Sequence, residues 1–446
     1  MNKVYLGDCL EVMKTLDANS VDAIVTDPPY GLSFMGKKWD YDVPSQEIWE
    51  ECLRVLKPGG YLLAFAGTRT QHRMAVRIED AGFEIRDMIA WIYGSGFPKS
   101  RNIGKDVEKI NVGGLKNLKQ IGTKQGIKCE TGTKGYSYNK EYVAGKCMGG
   151  KQISGEIPVY EINNEWEGWG TALKPALEPI TVARKPLSEK TVAENVLKWG
   201  TGGVNIDESR VEYTSEKDKK EGQSARPSKT SNANDYSLNH GGLEGLDRSD
   251  RSDITGRFPA NLIHDGSDEV VGLFPQTKSG GGNKNSVNNQ ENSFLGTGFG
   301  GTGTKTDWKI DSGSASRFFY CAKASKSERN KGCEGLDEKK PSVFEFRPTL
   351  ETARENWATP IDETPYGRGG VMKNNHPTVK PIALMEYLVK LVTKKGGTVL
   401  DPFAGSGSTL VAAKNLGFNY IGIELTPEYI PIIEARLKDK PNLFNI

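Results

Sequence analysis

The chain has 446 residues, 36% of them hydrophobic and 26% charged, with a net charge of +2; it can bury a sizeable core in roughly two or three domains, and its average charge names no partner. No apolar run approaches the ~18 residues of a membrane span, and the opening Met1–Asp8 lacks the basic start and apolar core of a signal peptide, so a soluble cytoplasmic protein with no membrane partner is expected. Six cysteines (Cys9, Cys52, Cys129, Cys147, Cys321, Cys333) form no CxxC pair and only four histidines accompany them, which speaks against a disulfide framework or a metal site.

Lys3–Leu6 reads as a strand, Cys9–Leu16 as a short helix, and Val21–Thr26 as a buried strand that runs into Asp27-Pro28-Pro29-Tyr30. Gln46–Leu56 carries apolar residues at helical spacing and stops at Lys57-Pro58-Gly59-Gly60, where proline and glycine end a helix. Tyr61–Ala66 reads as the next strand, Gln71–Ala81 as a helix ended by Gly82, and Phe83–Tyr93 as an extended pair of short strands. This alternation points to an α/β layer structure.

After Gly94 the pattern dissolves. Residues 95–172 are rich in Gly, Lys, Asn and Thr; from Lys99 to Lys151, 12 Lys/Arg stand against 4 Asp/Glu, with Tyr136, Tyr138 and Tyr142 interleaved. Basic charge with aromatics suits a polyanion. Glu178–Pro186 looks like a core strand again, whereas residues 187–370 form a long polar stretch with short pieces such as TVAENVLKW and FPANLIHD. Within it, Lys278–Lys305 is a low-complexity run of glycine and asparagine.

Regular structure returns at the C-terminal end. Pro381–Thr393 has the spacing of an amphipathic helix with proline in its first turn. GTVLDPFAGSGST is a strand running into a glycine loop, followed by a helix at about Leu410–Leu416, the strand NYIGIEL and the helix PEYIPIIEARL.

A strand, a glycine loop and a helix N-terminus form a ligand cradle, because backbone N–H groups converge there. The dinucleotide fingerprint would need glycine where this chain has Leu410, and a P-loop would need a lysine that Gly405–Thr409 lacks. Glu424, at the end of the next strand, stands where an acid accepts from ribose hydroxyls. These residues fit a nucleoside without phosphates, of which S-adenosylmethionine (AdoMet) is the common one; a purely structural strand-to-helix turn is the alternative.

DPPY at Asp27–Tyr30 and DPFAGSGST at Asp401–Thr409 resemble the catalytic motif and the AdoMet loop of the amino-methylating DNA methyltransferases. With the catalytic motif first, the order resembles the circularly permuted β class, and HPTVKP (His376–Pro381) and LGDCLEVM (Leu6–Met13) are similar to segments of that group. The resemblance covers about residues 1–94, 174–186 and 376–446. It implies a Rossmann-like sheet of seven mostly parallel strands with one antiparallel, helices on both faces, and an inserted target-recognition region. The implied division is 1–94, catalytic half; 95–172, basic insertion; 173–186, returning core strand; 187–370, target recognition; and 371–446, AdoMet-binding half.

The chemistry fits the motif. An aromatic amino nitrogen is a poor nucleophile because its lone pair is delocalised into the ring. Asp27 can accept one amino hydrogen and the Pro28 carbonyl the other, while Pro28 and Pro29 fix φ so that this carbonyl stays aimed. Tyr30 offers a face on which an extruded base can stack.

By resemblance, Asp8 accepts from the AdoMet adenine amino group; Asp401, Phe403, Gly405 and Gly407 wall the methionine side; Thr409 is a capping hydroxyl; and Lys380, assisted by Thr378, meets the methionine carboxylate. His264 and His376 are expected to be structural, since the transfer needs no imidazole base. Lys37 and Lys38, in the loop Ser33–Asp40, are expected beside the base and on DNA; Trp166, Trp169 and Trp199 are candidates for DNA contact or core.

The partner implied is double-stranded DNA, in a bacterial or phage-infected cell. Whether the chain acts alone, as a homodimer or beside a cognate restriction endonuclease is open at this level. Asp27 at the head of the motif favours adenine N6 over cytosine N4 in this family. A catalytically silent DNA-binding module of a restriction-modification or phage complex is the reading from another class.

Overall fold

Six consecutive buried residues, Val21–Thr26, form a strand covered on both faces, the situation of a central member of a parallel sheet. In the computed structural model that strand lies in the middle of a nine-stranded sheet. The structure describes residues 2–32, 40–94, 96, 100–114, 117–129, 152–216, 218–219, 256–278, 312–322, 328–337 and 373–438. The chain divides into two units: Met1–Asn205 with Asn261–Ser267 and Cys321–Ile446, and Ile206–Ala260 with Asp268–Tyr320. Loop residues Lys37 and Lys38, the tyrosines 136, 138 and 142, and the low-complexity run beyond Lys278 lie outside the described residues.

In chain order the first elements are β1 (Lys3–Leu6), α1 (Cys9–Lys14), β2 (Val21–Thr26), α2 (Gln46–Val55), β3 (Leu56–Phe65), α3 (Gln71–Asp80) and β4 (Glu84–Ile92). Next come α4 (Ile103–Asn111), the antiparallel pair β5 (Gln120–Cys129) and β6 (Gln152–Tyr160), β7 (Leu177–Arg184) and α5 (Val192–Trp199). Short elements follow: β8 (Val211–Glu212), β9 (Gly256–Arg257), β10 (Leu262–His264), α6 (Asp268–Val271), β11 (Gln276–Lys278), β12 (Ser312–Ser314) and β13 (Tyr320–Cys321). The last are α7 (Ile382–Val392), β14 (Thr398–Asp401), α8 (Ser408–Asn415), β15 (Asn419–Glu424) and α9 (Ile430–Lys438).

The sheet order is β1-β15-β14-β2-β3-β7-β4-β10-β13. β7 runs antiparallel to both β3 and β4, while β1–β15, β15–β14, β14–β2, β2–β3 and β4–β10 pair in parallel. The first seven strands of that order are the expected permuted sheet with its one antiparallel member. β10 and β13 extend it beyond the seven; β10 is three residues long and pairs in parallel with Ala90–Ile92 on one side, with β13 on the other. From β14 the chain leads outward to β15, and from β2 it leads to β3 on the other side. The strand order therefore reverses between β14 and β2, which is where open α/β sheets gather ligands at their carboxyl ends.

One core lies under α1, α2 and α3, where Met13, Trp49, Cys52, Met74 and Ile78 pack on Ile24, Leu62, Leu400 and Ile423. α5 docks on β3 through a fully buried Asn195, whose amide donates to the carbonyls of Pro58 and Thr201 at 2.8 Å each. Burying that amide is tolerable because both its N–H groups are paired.

Three local readings change. The segment Lys57–Gly60 ends α2 but is already strand, held by backbone bonds between Gly59, Gly60 and Lys185 and by the Lys57–Asp22 ion pair at 2.7 Å. Phe83–Tyr93 is one strand with a register shift between Ile85 and Asp87, rather than two. Residues 95–172, which showed no periodic pattern, hold α4 and the β5–β6 pair.

In the second unit, β8–β9 and β11–β12 are small antiparallel pairs. Arg257 donates to the buried Asp218 at 2.8 Å and lies over the rings of Tyr213 and Phe318. Its hydrogen bond holds the Asp218 carboxyl down at about 2.

Candidate active site

A cavity of about 1370 Å³ opens at the carboxyl ends of β2, β14 and β15. Ordinary single-ligand pockets are ~300–1,000 Å³, so this one has room for two partners. Asp27 and Gly405 line the same cavity, together with Asp8, Pro28, Pro29, Tyr30, Thr378, Lys380, Asp401, Phe403, Thr409 and Glu424. Gly407 is not on the wall; it is the N-cap of α8 at φ 77° and packs against Ile433.

The glycine-loop side is built by β14 and β15. Asp401, at the end of β14, is buried and accepts from the Thr26 hydroxyl at 2.6 Å, from the Phe403 N–H at 3.1 Å and from Thr409. Burial pushes its carboxyl up to about 6. Thr409 thus differs from expectation: its hydroxyl serves Asp401 from the second residue of the helix, and the Gly407 cap makes no side-chain bond. Gly405 sits at φ 54°, a region natural to glycine, and a Cβ there would meet His376 Nε2 at 2.9 Å. Its N–H donates to Glu424 at 2.7 Å, and Glu424 also accepts from the Thr426 N–H at 2.8 Å. Burial raises the Glu424 carboxyl above its usual range. Asp8, across the cavity floor, caps α1 by accepting from the Leu10 and Glu11 N–H groups at 2.9 and 3.3 Å.

The other side is a knot of four side chains. Tyr30 hydroxyl donates to Asp27 at 2.7 Å, with Glu178 at 3.1 Å. Lys380 Nζ donates to the other Asp27 oxygen at 2.7 Å, lies 3.1 Å from Glu178, and stands over the rings of Phe65 and Tyr30. Burial works against the lysine charge, but the Asp27 and Glu178 carboxylates outweigh it and hold the ammonium above its ordinary range. Lys380 was expected to meet a methionine carboxylate; here its Nζ lies between the Asp27 and Glu178 carboxylates. Burial, then Asp27 and Glu178, push the Tyr30 phenol well up.

The turn after Asp27 is held from behind. Buried Asp40 accepts from the N–H groups of Tyr30 at 2.7 Å, Gly31 at 2.9 Å and Leu32 at 3.3 Å, and Thr70 donates to the Tyr30 carbonyl at 2.6 Å. These four bonds restrain Tyr30–Leu32.

The model of the N6/N4 DNA methylases matches residues 21–264 and 278–435. The chain belongs to this family of DNA methylases. Over 99% of its length it is 22% identical to 97% of the type II methyltransferase M.HindIII of Haemophilus influenzae. It is 49% identical over 63 residues to M2.DpnII of Streptococcus pneumoniae, a match of 14% of this chain and 24% of that one. The chain spans about a quarter of M2.DpnII and of the Bacillus subtilis M.BglI, at 24% and 23% of their lengths. Among solved structures, the PvuII cytosine-N4-specific DNA methyltransferase is similar at 13% identity and a TM-score of 0.40, covering 100% of this chain and 88% of that one.

In this methylase, two residues of the cavity escaped sequence reasoning. Glu178 stands at the start of an otherwise apolar strand, and an acid in that setting was the available signal. Asp40 ends the loop Ser33–Asp40, which was expected beside the base through Lys37 and Lys38 with no role given to its aspartate. His376 is buried against Tyr429 with ring centroids 4.5 Å apart, and burial pulls it down to about 4; His264 accepts from the Gly266 N–H at 3.1 Å within the sheet's extension. Among the described residues no group of three or more His, Cys, Asp or Glu side chains is placed to hold a metal, and no helix is long and apolar enough to cross a membrane.

Proposed function

We propose that this methylase transfers the methyl group of AdoMet to the exocyclic N6 of an adenine extruded from duplex DNA. The observation that carries the reading is the shared cavity: a glycine loop with acids at its edge and the Asp27 carboxylate face one space. AdoMet supplies an electrophilic methyl on a sulfonium. Glu424 and Asp8 are the acceptors for its ribose and adenine ends, and the Gly405 loop is the wall of its methionine end.

Asp27 accepts a hydrogen from the target amino group. Its two oxygens each hold one partner, Tyr30 or Lys380, and a carboxylate has about four lone-pair sites, so capacity remains for the substrate. With the lone pair localised, nitrogen attacks in line: the N–C bond forms as the C–S bond breaks, the electron pair stays on sulfur, and the amino proton leaves toward Asp27. Two carboxylates against one ammonium leave the Asp27–Glu178–Lys380 knot with a net negative charge, which favours a sulfonium and the cationic amine that develops. Extrusion is required because the amino group lies inside the base stack.

The test is incubation with label-bearing AdoMet and unmodified duplex DNA, followed by digestion to nucleosides. Label in N6-methyladenine is expected. Label in N4-methylcytosine would reassign the base, and AdoMet binding without any labelled nucleoside would leave a silent DNA-binding module.

A further inference from the structure

The cavity mouth carries apolar side chains that the core does not use. The turn Asn164–Leu173 is pinned to the start of α4: Ile103 N–H donates to the Trp169 carbonyl at 2.9 Å, Arg101 N–H to the Thr171 hydroxyl at 2.9 Å, and Thr171 N–H to Ser100 at 3.0 Å. Asn164 closes the other end by donating to the Gly104 carbonyl at 3.0 Å. These bonds hold the turn against the start of α4. Trp166 and Trp169 meet edge to face at 5.3 Å while 39% and 60% exposed. Leu173 is 92% exposed and at the same time lines the cavity beside Lys174.

A leucine on a hydrogen-bonded turn at the mouth of the cavity that receives the base has a specific use. Drawing a nucleotide out of a duplex leaves an unstacked gap, and proteins that open DNA fill such gaps with apolar wedges. We propose that Leu173 is the wedge that enters the duplex beside the extruded base, with Trp169, braced by Trp166, covering the exposed face of the neighbouring base pair. The occupant is duplex DNA, because the surface is continuous with the cavity that receives the base, Thr171, Ala172 and Leu173 lining both. This rests on the methyltransferase reading above. It adds that the protein opens the duplex actively, with an element outside the chemical site.

The test uses the full chain and the variants Leu173→Ala, Trp169→Ala and Trp169→Phe. Methyl transfer is measured on a normal duplex and on the same duplex with the target placed opposite an abasic site, where no pairing opposes extrusion. A duplex carrying 2-aminopurine at the target reports extrusion as a fluorescence rise without requiring transfer. For Leu173→Ala and Trp169→Ala, kcat/KM on the normal duplex should fall about tenfold or more, the fall on the abasic duplex should be about threefold or less, and the fluorescence rise should shrink. Trp169→Phe should recover most of both. Equal losses on the two duplexes, a full fluorescence rise in the alanine variants, or a change of oligomeric state on Leu173→Ala would overturn the wedge. If the wild type shows the fluorescence rise but labels no DNA, the transferase reading fails while the wedge stands.

Discussion

Replacing Lys380 by methionine removes one charge and keeps most of the volume. The lysine is buried, its ammonium 2.7 Å from Asp27 and 3.1 Å from Glu178. Without it two carboxylates share a poorly solvated space with no cation between them. Breaking a buried pair by deleting one partner destabilises by ~3–5 kcal/mol. Chemical denaturation of Lys380→Met should therefore show a loss of about 3 kcal/mol. Adding Glu178→Gln should restore much of it, since only one carboxylate then remains and the two sites are coupled. Transfer should fall on the order of a hundredfold, the scale of a misaligned catalytic group, with AdoMet affinity within a few-fold of wild type. A variant of normal stability that had lost AdoMet affinity would refute this reasoning and return Lys380 to the methionine carboxylate.

Asp27→Ala should reduce transfer by ~10³-fold or more while the dissociation constant for AdoMet, measured by equilibrium binding, stays near wild type. Gly405→Ala forces a side chain into φ 54° and against His376 at 2.9 Å; it should weaken AdoMet binding at least tenfold and lower stability by ~1–3 kcal/mol, seen by titration and thermal melting. The pH dependence has two opposed parts. Folded Asp401 keeps its proton up to about 6 whereas its ordinary value is 3.8, so between these the folded state binds more protons and stability declines as pH rises. Folded His376 stays neutral down to about 4 against an ordinary 6.5, so the unfolded chain binds more protons and stability declines as pH falls. Each contributes about 3 kcal/mol, because a tenfold change in proton affinity is worth ~1.4 kcal/mol. Between pH 4 and 6.5, Asp401→Asn should be more acid-labile than wild type and His376→Asn less so, measured by chemical denaturation; parallel slopes in all three would refute the assignment.

What local pattern encodes was readable in advance. β2 was legible as the mostly apolar run Val21–Thr26 before Asp27-Pro28, and the structure buries all six residues; the glycine loop was legible from Gly405 and Gly407 between a strand and a helix, and both take positive φ. The permuted order followed from two motifs that the sheet brings together at Thr26 and Asp401, 375 positions apart. What stayed hidden depends on partners distant in sequence. β10 has three residues, too few for any periodicity, and exists because Ala90–Ile92 offers an edge to pair with. The orientation of Lys380 is set by Glu178, some 200 positions earlier and on the antiparallel strand, and no spacing rule links them. Thr409 is the second residue of α8 and not its cap, so its hydroxyl donates to the buried Asp401 carboxylate, a partner that no local pattern announces. Lys57–Gly60 carries the residues of a turn, but bonds to Lys185 keep it in the sheet.

A crystal structure of the full chain with AdoMet bound tests the central claim most directly. The account requires the methionine end to run along the Gly405 loop, with the sulfonium methyl turned toward the Asp27 carboxylate inside the one cavity. A methyl group turned away from Asp27, or AdoMet seated in a different cleft, would contradict it.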